Sequence, residues 1–175
     1  MRKNIFAGFN ISCVGDERAY SYLPSRNGNT TSDKVAKHVL HWIDPKFKKY
    51  TWLDRGSDER QYCAPGIDLP IASIFRTKYG EYPEYHTSLD NLTDVVTPKG
   101  LNGGYWAVRK TIELLEKNKK FKVTVLGEPQ MSKRNLYPSI SSKENKEILD
   151  LNIMMDFISL CDGENSLLDI ANILN

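Results

Sequence analysis

Apolar and polar positions alternate along the chain in blocks that read as strand, helix and loop. IFAGFNISCVG, residues 5–15, is apolar and broken by glycine, the pattern of a buried strand that starts almost at residue 1. A domain that opens on such a strand is expected to have more polypeptide before it. YSYLP, residues 20–24, predicts a second short strand. SRNGNTTSD is rich in turn formers and ends in helix-capping residues. KVAKHVLHWI then spaces Val35, Val39 and Trp42/Ile43 at helical period, and Asp44-Pro45 stops it. KYTWLD predicts a short strand, and LPIASIFR a stronger one, β-branched and continuously apolar. In TPKGLNGGYWAVRKTIELLEKNKK, Leu101, Tyr105, Val108, Ile112 and Leu115 share one helical face, which predicts a helix buried along that stripe. FKVTVLGE predicts a last strand. Strands alternating with helices make an α/β pattern.

The composition turns polar at GEPQMSKRNLYPSISSKENK, which predicts a linker. Beyond it Ile148, Leu151, Met155 and Ile158 recur at helical spacing. CDGENS breaks that helix and LLDIANIL starts another, a helix-turn-helix outline. The expected division is therefore 1–128, a linker at 129–145, and a small helical unit at 146–175. From Ile148 to Asn175 there is no Lys or Arg, whereas Asp150, Asp156, Asp162, Glu164 and Asp169 are present. Phosphate recognition needs cations, so this segment is expected to pack on protein rather than on nucleic acid.

Composition narrows the class. Of the 175 residues 40% are hydrophobic and 26% charged, as in a globular protein, and the net charge of +2 gives no pull toward nucleic acid or an anionic membrane. The three cysteines, Cys13, Cys63 and Cys161, form no CxxC pair, which excludes a zinc-knuckle spacing and favours reduced thiols. Polar residues interrupt the apolar run near the N-terminus, unlike a signal peptide. No stretch approaches a membrane span, so a cytoplasmic protein is expected.

Candidate chemistry sits in two loops. EYPEYHTSLDN, residues 81–91, follows the LPIASIFR strand, where ligands collect in α/β sheets. It holds His86, with Asp90 able to brace the loop or the imidazole, and with Tyr82 and Tyr85 as hydrogen-bond donors for a developing oxyanion. RGSDERQYCAPGID, residues 55–68, lies at the other end of that strand. It shares a pocket with His86 only if Asp58 to Tyr62 folds back over the sheet edge. His38 and His41, three apart on the first helix, lack an acidic third ligand and read as helix-surface residues. GxxxxGK[ST], GxGxxG and GxSxG are absent, which leaves nucleotide binding and serine hydrolysis without support.

The two loops also carry a resemblance. Ser57-Asp58-Glu59, Tyr62, Gly66-Ile67, the strand, then Tyr85-His86-Thr87 and Asp90 resemble the end of the catalytic domain in co-catalytic zinc aminopeptidases. The stretch from GFNISCVGDERAYSYLPSR to the linker resembles one branch more closely. That branch comprises aminopeptidase-like proteins associated with bacterial polysaccharide biosynthesis, with a winged-helix-like C-terminal domain. The resemblance implies a three-layer mixed sheet with flanking helices, incomplete in this chain. It implies zinc as cofactor and His86 as the last metal ligand. It puts Ser12 where the family has a ligand Asp, with Asp16 and Asp58 as candidate replacements. Arg60, Tyr62 and Tyr85 are the expected contacts to a small peptide or amide. The family's earlier ligands and its general-base glutamate come from sequence upstream of the matching region. The chain alone is thus expected not to hydrolyse peptides, and a missing N-terminal half or a second copy is the expected partner. A non-catalytic cleft for a peptide or sugar-linked amine, and an interaction module built on the acidic helices, are the competing expectations.

Overall fold

The computed structural model describes residues 4–134 and 145–174, the side chains of 145–150 excepted. Two units are present, Met1–Leu115 and Glu116–Asn175. In the first, the elements are β1 (Gly8–Ile11), β2 (Ser21–Leu23), α1 (Thr31–Ile43), β3 (Lys48–Lys49), α2 (Glu59–Tyr62), β4 (Ile71–Phe75) and α3 (Pro98–Lys117), whose last two residues cross the division. The sheet runs β1-β4-β2-β3 and is mixed: β1 and β4 are parallel, as are β2 and β3, while β2 and β4 are antiparallel.

Register sorts the side chains into two faces. Phe9 lies opposite Ala72, and Ile74 lies between Ile11 and Tyr22. This face packs on Ala36 and Leu40 of α1 and Ala107 of α3. Leu23 and Phe75 point the other way, into Tyr79, Tyr50, Trp52 and Tyr85. Helices thus cover one face and aromatic loop residues the other.

α1 begins where the sequence predicts. Thr30 caps it, and Asp33 closes a capping box by reaching back to the Thr30 amide. Asp33 is fully buried and also accepts from the Tyr22 hydroxyl and from Ser25. Ser32 donates to the Pro70 carbonyl and accepts from the Gly8 amide, tying the helix to both β1 and the entry of β4. The buried face is Val35, Ala36, Val39 and Leu40, whereas Trp42 is 66% exposed and Ile43 lies at the rim.

Several expectations need correction. β1 is half-exposed rather than a buried core strand, because among the described residues it is the sheet edge. KYTWLD splits into the two-residue β3 and a 3-10 turn at Trp52–Asp54, which the Thr51–Asp54 capping box holds. α3 forms, but it buries Gly100, Gly104, Ala107 and Thr111 and leaves Leu101, Tyr105 and Ile112 exposed. The reason is close approach. A Cβ on Gly104 would stand 2.5 Å from the Val14 carbonyl oxygen, and one on Gly100 would overlap that of Gly15. Finally, FKVTVLGE contributes β5 (Lys120–Lys122), which pairs antiparallel with β6 (Asp162–Ser166) and so belongs to the second unit.

That second unit also contains α4 (Asn145–Ser159) and α5 (Leu167–Leu174). CDGENS, expected as a bare helix break, supplies β6. Leu168 and Ile170 of α5 are buried, and Asn118 accepts from the Leu168 amide. Most of the expected linker lies outside the described residues. No described helix is long and apolar enough to cross a membrane.

Candidate functional site

The chain leaves β1 through Ser12, Cys13, Val14 and Gly15, and leaves β4 through Arg76, Thr77 and Lys78. Asp16 joins the two exits. Its carboxylate accepts from the Thr77 amide (2.8 Å), the Thr77 hydroxyl (2.6 Å) and the Arg18 amide (2.8 Å), and it is 4% exposed. The Arg76 amide donates to the Cys13 carbonyl, and the Arg76 guanidinium to that of Asp16. Asp16 is thereby committed to holding strand ends together, which is what a short carboxylate buried among donors does best.

His86 sits on the loop that follows, with a left-handed backbone (φ 59°) and an exposed side chain. Its ring stacks on Tyr85, centroids 4.0 Å apart at 16°. Tyr85 meets Tyr82 edge-on at 5.6 Å and Tyr79 at 6.4 Å. Asp90 braces the loop through Tyr82, whose hydroxyl donates to Asp90 Oδ2 at 3.0 Å and lies 3.7 Å from Cys13 Sγ. Burial, with Cys13 and Asp90 adding to it, pushes the Tyr82 phenol well above its ordinary value. Its proton therefore stays on, aimed at Asp90 rather than at a ligand. Arg18 lies over the Tyr82 ring at 5.5 Å while forming a bidentate pair with Glu84.

Of Asp58 to Tyr62, Glu59 is the residue connected to this loop, through Tyr79, and none of the five lines the cleft described below. Glu59 is fully buried. Its Oε1 accepts from the Tyr79 hydroxyl (2.6 Å) and the amides of Gly56 and Ser57, and its Oε2 accepts from Asn10 Nδ2 on β1 (2.8 Å). Burial alone would raise this carboxyl, but the Tyr79 hydroxyl and the Ser57 and Gly56 amides hold it below its ordinary value. Gly56 is required here, since a Cβ would stand 2.7 Å from the Tyr79 ring. The chain of contact runs Glu59, Tyr79, Tyr85, His86. Sequence reasoning singled out Asp58, Arg60 and Tyr62 and passed over Glu59. The signal was a glutamate two residues past Gly-Ser, whose two amides turn to one carboxylate. Asp58, just before α2, and Arg60 and Tyr62 on it are exposed, and among the described residues none of the three hydrogen-bonds to or stacks on Tyr85 or His86.

A cleft of about 310 Å3 opens beside this loop, lined by Cys13, Asp16, Tyr82, Tyr85 and Asp90 and by the apolar Val14, Val95, Val96 and Leu101. Its chemistry is mixed: carboxylates, phenols and one thiol on an apolar floor. Residues matching a zinc ligand set are only partly present. Among the described residues no three of His, Cys, Asp and Glu gather where a metal could be held. Zinc needs three or four protein donors. Asp16 is turned to Thr77, Asp58 stands apart at the start of α2, and Ser12 offers a hydroxyl 3.6 Å from Cys13 Sγ. The described residues therefore do not fit a complete zinc site, and His86 is its one free imidazole donor in this loop.

The model for the family described as Domain of unknown function (DUF4910) matches residues 1–118. The chain belongs to this family. Residues 119–175 match a winged helix-turn-helix model. A Clostridium acetobutylicum protein, provisionally named a polysaccharide biosynthesis protein with an aminopeptidase-like domain, is 35% identical over 170 residues, 97% of this chain and 38% of that one. A crystal structure from Clostridium acetobutylicum, provisionally named a peptidase, superposes with a TM-score of 0.82 at 33% identity, covering 99% of this chain and 37% of that one. This chain has an aminopeptidase-like fold ending in a winged helix, and spans well under half the length of these relatives.

Proposed function

We propose that the chain is part of a zinc-dependent aminopeptidase-like domain, inactive by itself, in which His86 supplies one metal donor and Tyr85 flanks the bound peptide or amide. The observation that carries this reading is His86. Its imidazole is exposed and stacks on Tyr85, which itself lines the cleft. With further donors from outside the described residues, His86 would hold zinc, which would supply Lewis-acid chemistry toward an amide. This chain's own residues orient: Glu59 and Tyr79 fix Tyr85, Tyr85 fixes His86, and Asp90 with Tyr82 closes the loop behind them.

The test has two readouts. The purified, dialysed chain should contain far less than one zinc per molecule and should hydrolyse no aminoacyl amide. In NMR titrations, added zinc should perturb the His86 ring before those of His38 and His41, and His86→Ala should remove that response. Near-stoichiometric zinc that disappears in His86→Ala would show instead that the chain assembles a site alone. Equal response of all three histidines would sink the assignment of His86.

A second reading is favoured by the incomplete donor set. The cleft would hold a peptide or amine-bearing sugar without cleaving it, with the Asp90 carboxylate facing the ammonium group and the Tyr85 ring facing the apolar part. Binding of an amino sugar to metal-free chain, weakened by Asp90→Asn, would favour it.

A further inference from the structure

The net charge of +2 hides an uneven spread. Residues 34–49 hold five lysines and one acid, Asp44. α1 turns Val35, Ala36, Val39 and Leu40 to the core. From Lys34 to Trp42 its outward positions are Lys34, Lys37, His38, His41 and Trp42, with no acid among them. The turn that follows presents Lys46, exposed to solvent, while the Asp44 carboxylate is taken up by the Lys46 amide at 2.9 Å. Lys49 lies opposite Tyr22, which packs on the face that α1 covers, and its ammonium stands over the Phe47 ring at 4.9 Å. Trp42 is 66% exposed among these cations, with Ile43 beside it and the His38 and His41 rings at 6.4 and 6.3 Å. The scaffold is fixed. The Phe47 amide donates to the Asp44 carbonyl, the Phe47 ring is buried in the core, and the Lys48 and Tyr50 amides bond to β2 and its approach. This face borders β3, the sheet edge opposite β1.

Ordinary surfaces intersperse both signs of charge. A face with lysines alone needs an anionic partner, and the exposed indole narrows which one. Lysine ammoniums act as point charges, without the bidentate geometry by which arginine reads a planar anion. Base edges of a duplex are read by Arg, Asn or Gln, and the outward stripe has none of these. A two-fold dimer through this face would set like charges against each other. An indole, with an apolar body and a polar N–H, suits the boundary between lipid head groups and acyl chains, and clustered lysines on the same helix suit anionic head groups. We propose that the outer face of α1, with Lys46 and Lys49, docks on an anionic lipid bilayer. Trp42 enters the head-group boundary and the lysines cover lipid phosphates. Binding is peripheral and requires no spanning helix. It involves neither the cleft nor a metal, so it stands apart from the zinc reading.

Vesicle sedimentation with the full chain tests it. At about 0.1 M salt the chain should partition about tenfold more strongly onto vesicles of equal phosphatidylglycerol and phosphatidylcholine than onto phosphatidylcholine alone, and about 1 M salt should remove most of that difference. The triple variant Lys37→Gln, Lys46→Gln, Lys49→Gln should weaken binding to the anionic vesicles about tenfold. The triple variant Lys99→Gln, Lys110→Gln, Lys120→Gln has the same net charge and alters only exposed lysines paired with Glu17, Glu113 and Glu164. It should stay within about twofold of wild type. Lipid brominated along its acyl chains should quench tryptophan fluorescence, and Trp42→Phe should lose most of that quenching although Trp52 and Trp106 remain. Equal weakening by the two triple variants would reduce the effect to net charge and overturn the proposal. So would equal binding to phosphatidylcholine, no binding to the anionic vesicles, or quenching that survives Trp42→Phe. A single-stranded oligonucleotide that displaces the chain from the vesicles, and is itself released only by the first triple variant, would overturn it too and assign the face to nucleic acid.

Discussion

Removing the Glu59 carboxylate tests whether one buried glutamate links the two loops. Four donors converge on it, from Gly56, Ser57, Tyr79 and Asn10, and none of its surface is exposed. Glu59→Ala leaves these donors in a dry space. Each buried donor left without an acceptor costs about 1–3 kcal/mol, and several are left at once. Glu59→Gln should be far milder. The amide oxygen can take the place of Oε1 and keep three donors. The amide nitrogen then faces Asn10, whose side chain can turn over to accept from it. What remains is the loss of charge assistance, about 1–2 kcal/mol. Urea unfolding followed by circular dichroism at pH 7, with an unchanged m value, reads both numbers. The pH dependence supplies a second check. Because the folded carboxyl lies below its ordinary value of 4.5, its stabilisation is fully present above that pH and is lost as pH falls through the folded value. Wild type should therefore weaken between pH 5 and the acid limit, and Glu59→Gln should weaken less. The His86 ring protons, shifted by the face of Tyr85, should also move toward free-histidine positions in Glu59→Ala, since Tyr79 no longer holds Tyr85. An alanine variant within about 0.5 kcal/mol of wild type would refute the reasoning, since that is the range of ordinary surface substitutions. So would a glutamine variant as damaged as alanine.

Other outcomes follow from the same structure. Gly104→Ala should destabilise by about 1–3 kcal/mol through overpacking against Val14, although alanine in a helix interior ordinarily gains about 1 kcal/mol over glycine; thermal melts give the sign. Asp33→Ala should cost about 2–4 kcal/mol, because it strips the α1 capping box and leaves the buried Tyr22 hydroxyl and Ser25 amide without an acceptor, and it should lower the melting temperature by several degrees. Burial pushes the Asp33 carboxyl up, but bonds from Ser25, Tyr22 and Thr30 outweigh it and hold the group below 3.8, so Asp33→Asn should also blunt acid unfolding. His86→Gly should raise stability by up to about 1 kcal/mol, since glycine relieves the left-handed backbone, while abolishing the response to zinc.

The sequence by itself determined most of the local structure. Thr30 with Asp33, followed by a periodic apolar run, marked the start of α1, and the continuous apolar run of LPIASIFR marked β4. The resemblance carried by the two loops led to the aminopeptidase-like fold and the winged helix. These features are legible because capping and periodicity act within a few residues of chain. What only the tertiary structure decided depends on partners distant in sequence. The apolar stripe of α3 faces solvent because the exit of β1 comes close enough that glycine and alanine must line the contact, and periodicity cannot report how near another backbone lies. β5 pairs with β6, some forty residues along the chain, because register is settled by the opposing strand. Glu59, rather than Asp58, unites the loops because Tyr79 and Asn10 arrive from two other segments. Asp16 spends its carboxylate on Thr77 for the same reason: which donors surround a buried acid is a property of the packed fold.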